Sequence, residues 1–161
     1  AVAPRTGADT KQDDIARWAD EVIHKLNPVG WHHTRRIAAG TSTGGTTGKR
    51  WGRVRDAPII GAGTYAQNGV CGVSATGTGE FFIRIGVARE ICARMEFGGL
   101  SAQEAASAVI GEVGAIGGDG GVIVLDANGG PAWAMNTPGM YRASWAAGGQ
   151  AQVRIFADEE P

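Results

Sequence analysis

The sequence predicts an α+β domain. Short apolar runs cut by glycine turns begin at Ile37, two adjacent helix patterns fill the middle, and strand patterns return after Gly121. The 161 residues, 43% of them hydrophobic, suffice for one core.

The first ten residues are polar and unpatterned. From Asp13 to Leu26 the apolar positions Ile15, Trp18, Ala19, Val22, Ile23 and Leu26 follow helical spacing, and Asn27-Pro28 ends that helix. Gly44 to Gly48 reads as a loop, Ile59-Ile60 as a short apolar run, and Val70 to Ser74 as a buried strand cut off by Gly77. One long helix fits Gly79 to Phe97, because Phe82, Ile85, Ala88, Ile91, Cys92 and Met95 share a face and Gly98-Gly99 terminates it. Ser101 caps the next helix, Glu104 completes a capping box, and the helix runs to about Val113. Gly117 to Gly121 makes a tight turn. Val122 to Asp126 and Pro131 to Met135 then flank Asn128-Gly129 as a hairpin, and Gln152 to Phe156 is a last strand.

Charge excludes several classes of partner. The net charge is −1 and the longest basic cluster is Arg35-Arg36, so neither nucleic acid nor an acidic membrane surface is expected. No apolar run approaches the ~18 residues of a membrane span, and the N-terminus lacks a secretory signal pattern, which makes a cytoplasmic location the expectation. Cys71 and Cys92 lack metal-ligand spacing and are expected to be buried reduced thiols. His24, His32 and His33 have no acid or cysteine partners at ligand spacing, so no metal is expected, and no cofactor. Gly44 to Arg50 looks like a phosphate loop, but it has no glycine at the required distance before Gly48-Lys49, and Arg50 stands where a magnesium-holding hydroxyl is needed. Gly61 to Ala66 fits a loose dinucleotide pattern, yet Asn68-Gly69 breaks the helix that must follow; a turn is the better account.

Three clusters occur in one order: Ala39-Gly40-Thr41-Ser42-Thr43-Gly44-Gly45, then Gly52-Arg53-Val54-Arg55-Asp56-Ala57-Pro58, then Ser74-Ala75-Thr76-Gly77-Thr78-Gly79-Glu80. Together they resemble the β-subunit of the plant-type asparaginases and isoaspartyl peptidases, a branch of the N-terminal-nucleophile hydrolases, and the resemblance runs from about Ile37 to Tyr141. It implies a four-layer αββα sandwich, here mainly its β-subunit half. Residues 1–36 would be a linker or helix resembling the end of the α-subunit with a disrupted maturation junction, and residues 37–161 the β-subunit region. The chain starts at Ala1 and would be a fragment, with a complementary α-half or a homo-oligomer as partner. The uncovered apolar faces of Val70 to Ser74 and Val122 to Asp126 would then promote association.

The chemistry implied is hydrolysis of the side-chain amide or isopeptide bond of L-asparagine or a β-aspartyl dipeptide. A threonine freed by self-cleavage suits it, because its α-amine, of pKa about 7.7 to 8.0, can serve as base for its own hydroxyl. By the resemblance, Thr76 and Gly77 form the oxyanion pair and Thr43 lies beside the nucleophile to orient it. Arg53 binds the substrate's α-carboxylate, Asp56 pairs its α-ammonium, and Gly79 borders the pocket. Asn136-Thr137, the glycines 117, 118, 120 and 121, and Gly139 to Arg142 are read as scaffold. Residue by residue, three duller roles stand beside these: Arg53 and Asp56 as a solvated pair, Thr76-Gly77 as a strand terminator, and Thr41 and Thr43 as ordinary strand residues.

The nucleophile itself has no match. Aligning Val29-Gly30 with the family's Val-Gly puts Pro28 at the catalytic position, and counting back from Thr43 without gaps gives Lys25; neither carries a hydroxyl. Thr34 is the nearest upstream hydroxyl of the right type. Arg55 stands where the family usually has glycine. Two readings follow: an asparaginase or isoaspartyl peptidase β-subunit, or a non-catalytic relic that keeps the fold and aspartyl binding. Glycosylasparaginase-like specificity is the closer rival for the first.

Overall fold

The computed structural model describes residues 29–32, 36–43, 48 and 51–156. The expected helix from Asp13 to Leu26, its Asn27-Pro28 stop, Lys25, Thr34 and most of the Gly44 to Gly48 loop lie outside them. At the centre is an antiparallel sheet in the order β3 (Thr64–Gln67), β4 (Cys71–Gly77), β5 (Gly120–Asp126) and β6 (Pro131–Met135). Its register sets Val73 opposite Val124 and Ala75 opposite Val122, which in turn faces Ala134. Because side chains alternate along a strand, these residues share one face. That face is buried with Phe82, Ile91, Val109 and Val113 in one core cluster, each large side chain contributing about 1.5–3 kcal/mol.

The helices behind this face differ in one respect from expectation. Gly79 to Phe97 is not one helix but two, α1 (Gly79–Ile85) and α2 (Val87–Gly98), separated by Gly86 at φ 69°. The break has a physical cause. The amides of Ala88 and Arg89 donate to the carbonyls of Ala62 and Gly61 at 3.1 and 2.8 Å, so the second helix is seated on the 61–62 turn instead of continuing the first. The expected apolar face survives: Phe82, Ala88, Ile91 and Cys92 are buried, with Ile85 and Met95 packed against them. Gly99 at φ 68° ends α2, as the Gly98-Gly99 pair predicts. The next helix, α3 (Ala102–Ala115), carries the full capping box: Ser101 Oγ accepts from the Glu104 amide and Glu104 accepts from the Ser101 amide at 3.0 Å.

On the other face of the sheet lies a hairpin, β1 (Val29–His32) with β2 (Arg36–Ala39). It approaches closely because residue 72 is glycine; a Cβ there would sit 2.5 Å from Ile37 Cγ2 and 2.6 Å from Val29 Cγ1. Helices, sheet and hairpin thus form three layers among the described residues. The expectation that β4 and β5 lack cover is overturned. Residues 71–75 are buried on both faces because the helices cover one side of β4 and β1–β2 the other; β5 is buried through Val122 and Val124 on the helix side and half-buried through Ile123 and Leu125 on the other.

The Asn128-Gly129 hairpin is present, with Asp126 Oδ1 accepting from the amides of Asn128 and Gly130 at 2.7 and 2.8 Å. The last strand, β8 (Gln152–Phe156), pairs with β7 (Gly139–Ser144). Asn136 is scaffold, since its amide group bridges the Gly118 carbonyl and the Gly120 amide at 2.9 and 2.8 Å.

The cysteine expectation needs correction. Both are buried, but they are not reduced thiols: Cys71 and Cys92 form a disulfide between β4 and α2, with Cα atoms 5.7 Å apart. They lie 21 positions apart in sequence, and only the packing of α2 on the sheet brings them together.

Candidate functional site

β4 delivers two of the expected site residues at its C-terminal end. Thr76 is the sixth residue of that strand and Gly77 the seventh, paired with Gly121 and Gly120 of β5. By strand alternation Thr76 points to the same side as Ser74, away from the helices and toward the hairpin layer. Ser74 is buried there, its hydroxyl against Thr41 Oγ1; the two hydroxyls have one proton each to share between their mutual contact, the Gly40 carbonyl 3.0 Å from Ser74 Oγ and the Gly63 carbonyl 2.9 Å from Thr41 Oγ1. These bonds fix the 40–43 segment over the end of β4. Gly77, at φ 153°, has no room for a side chain, since a Cβ would strike Asp119 O and lie 2.8 Å from Gly120 Cα.

The 51–58 loop arrives from the other side. Asp56 is buried, 3% exposed, and its carbonyl accepts from the amides of Ile59 and Gly63 at 2.9 and 3.1 Å, which folds the loop onto the turn before β3. Its carboxylate sits against Gly79, where a Cβ would lie 2.5 Å from Oδ1. Gly79 is therefore glycine because Asp56 occupies its side-chain space. Burial pushes the Asp56 pKa up, opposed by backbone amides and by the Arg55 charge.

The two arginines part company. Arg53 does not pair with Asp56; Nε and Nη2 form a fork on the two carboxylate oxygens of Glu80, both at 2.6 Å. That fork holds the Glu80 carboxyl below its usual range. Arg55 turns inward, donating from Nη1 to Thr43 Oγ1 at 3.2 Å and from Nη2 to the Gly77 carbonyl at 2.8 Å. Arg55 Nε and Asp56 Oδ2 are both buried without a hydrogen-bond partner among the described residues.

The structure thus gathers Thr43, Arg53, Asp56, Thr76, Gly77 and Gly79 at one end of the sheet. Glu80, Ser74 and Thr41 join them, and sequence reasoning gave these three no role in the site. Arg53 and Glu80 are 27 residues apart, and no local spacing signals a pair at that distance. Elsewhere, a cleft of about 470 Å³ opens at the opposite end of β4 and β5, beside Val70, Met95 and Asp126. Its Asp126 carboxylate is engaged in the hairpin turn through Oδ1. Among the described residues no group of His, Cys, Asp and Glu could hold a metal ion, and no helix is long and apolar enough to cross a membrane.

Comparison with known proteins agrees with the three clusters. A family model described as asparaginase matches residues 16–155. The isoaspartyl peptidase of Escherichia coli K12 is 49% identical over 124 residues, covering 76% of this chain and 39% of that protein. The plant-type L-asparaginase of Pyrococcus furiosus is 45% identical over 135 residues, 83% of this chain and 44% of that one. An isoaspartyl peptidase/L-asparaginase of Xenopus laevis is 42% identical over 120 residues, with shares of 74% and 38%. The chain thus spans well under half the length of these relatives. With residues 16–155 matched by the family model, and 49% identity to one relative over 76% of this chain's length, the chain belongs to the asparaginase family.

Proposed function

We propose that this chain is the β-side portion of an N-terminal-nucleophile amidohydrolase acting on L-asparagine or β-aspartyl dipeptides. The observation that carries the reading is the convergence of the 53–56 loop, the 76–79 segment and Thr43 at one end of the central sheet. In this reading Thr76 and Gly77 receive the developing oxyanion, Thr43 orients the nucleophile, and Arg53 and Asp56 take the α-carboxylate and α-ammonium. Gly79 leaves the space that Asp56 needs. Glu80 positions Arg53 by holding its guanidinium plane. The three layers then belong to a four-layer αββα sandwich completed by a complementary half or a second copy. No metal or cofactor enters the chemistry, and the cytoplasm is the working location. The Cys71–Cys92 bridge is compatible with that location because both residues are fully buried from soluble reductants.

A second reading is favoured by one specific feature, the residues at the maturation junction. Pro28 and Lys25 stand at the two candidate nucleophile positions, and neither carries the hydroxyl that this mechanism needs. The chain would then be a relic that binds aspartyl ligands without turning them over. Glycosylasparagine remains the rival substrate, through Ile37 to Thr43. Intact-mass measurement on the incubated protein, alongside ammonia release from L-asparagine and aspartate release from a β-aspartyl dipeptide, separates the readings. A new fragment beginning at Thr34, with turnover, identifies an active hydrolase and its nucleophile. An unchanged mass without turnover selects the relic.

A further inference from the structure

We propose that Arg55 is a specificity-determining residue that receives the side-chain carboxylate of an acidic ligand, so that the site takes L-aspartate in preference to L-asparagine. The inference rests on the aspartyl pocket described above and adds the identity of the group at its far end. Arg53 and Asp56 account for the α-carboxylate and α-ammonium of such a ligand. Its side-chain carbonyl group must then lie toward Thr43, Thr76 and Gly77. The Arg55 guanidinium occupies that region, since it bridges Thr43 Oγ1 at 3.2 Å and the Gly77 carbonyl at 2.8 Å.

Both of those acceptors are neutral, and they use two of the five N–H groups of the guanidinium. Arg55 Nε is buried with no acceptor among the described residues, which is costly for a charged donor. The adjacent Asp56 does not relieve it: Oδ2 is equally unpartnered, and the two groups interact only through space. A second carboxylate entering beside Arg55 supplies acceptors on both oxygens and cancels the charge in a setting of low solvation. A carboxamide supplies one acceptor, and its amino group turns two donors toward a residue that has donors only. The same cation that improves the fit of the acid therefore disfavours the amide. Product-like aspartate would be held rather than released, with direct consequences for any turnover at this site.

The test is calorimetric titration of the purified protein with L-aspartate and with L-asparagine, on the parent and on Arg55→Gln, Arg55→Gly and Arg55→Lys, each checked for cooperative thermal unfolding. The parent is expected to bind aspartate more tightly by on the order of tenfold or more, as charge-assisted bonds exceed neutral ones. Arg55→Gln and Arg55→Gly should bring the two ligands level, and Arg55→Lys should keep part of the preference. Equal affinities in the parent, or a preference undiminished in a folded Arg55→Gln, would overturn the role of Arg55 while leaving the aspartyl pocket standing. Failure of the parent and all variants to bind either amino acid would remove the pocket itself and this proposal with it. Should one variant fail to fold, the remaining folded substitutions carry the same comparison.

Discussion

At the scale of single residues, Asp56 is the group whose ionisation the fold most plainly strains. It is 3% exposed, and burial lifts its pKa above the ordinary value near 3.8. Between the unfolded and the raised folded value, the native state keeps a proton that the unfolded chain has lost. Stability therefore falls as pH rises through that window and does not recover above it. Asp56→Asn, similar in shape and without charge, should abolish this decline. It should be more stable than the parent above the window and no more stable below it, as measured by denaturant unfolding across a pH series. An offset between the two proteins that is the same at every pH would show that ionisation is not the cause. The same substitution removes the partner proposed for the ligand's ammonium, so a gain in stability would accompany a loss of aspartate binding. The motif at 53–56 announced a cation and an anion close together; which partner each arginine takes was not legible, because Arg53 and Arg55 are chemically identical and only Glu80 and Gly77 tell them apart.

At the scale of elements, local rules worked where local contacts dominate. The α3 cap was readable from Ser101 and Glu104 because the capping box closes within four residues. Ser101→Ala should cost about 1 kcal/mol, seen as a lower denaturation midpoint at unchanged m-value. A neutral outcome would mean that packing of Ala105, Ala106, Val109 and Val113 alone holds the helix start. The break at Gly86 was not readable, since a lone glycine inside a helical pattern costs only about 1 kcal/mol and often passes unbroken. Here the 61–62 turn offers its carbonyls to Ala88 and Arg89, and tertiary contact overrides propensity. The turn expected over Gly61 to Ala66 holds only through Gly63, with β3 starting at Thr64, and β1 and β7 escaped notice for a related reason. Each is short, and β1 is largely exposed, so hydrophobic alternation is weak and pairing alone defines it.

At the scale of the whole molecule, the exposed apolar surface is not where the sequence suggested. Strand β4 is buried on both sides and β5 on its helix side, whereas the β7–β8 pair leaves Tyr141, Val153 and Phe156 more than half exposed, at 78%, 59% and 58%. Edges and faces of this kind are rarely left bare in stable monomers. The 161-residue chain is expected to self-associate, with light scattering reporting a mass above that of the monomer and Tyr141→Ser with Phe156→Ser reducing it. A parent that elutes as a monodisperse monomer and unfolds cooperatively would show that the chain completes its own core.

The sequence by itself determined the family, the α+β class, the Asn128-Gly129 hairpin, the α3 cap and six of the residues that meet at one end of the sheet. These follow from composition, short-range periodicity and three clusters in order, all of which are written along the chain. The Cys71–Cys92 bridge, the Arg53–Glu80 fork, the inward turn of Arg55 and the cover that β1–β2 gives to β4 were decided by the tertiary structure. Each joins residues some 20 to 40 positions apart, and whether such groups meet depends on how sheet and helices pack, which no local pattern encodes.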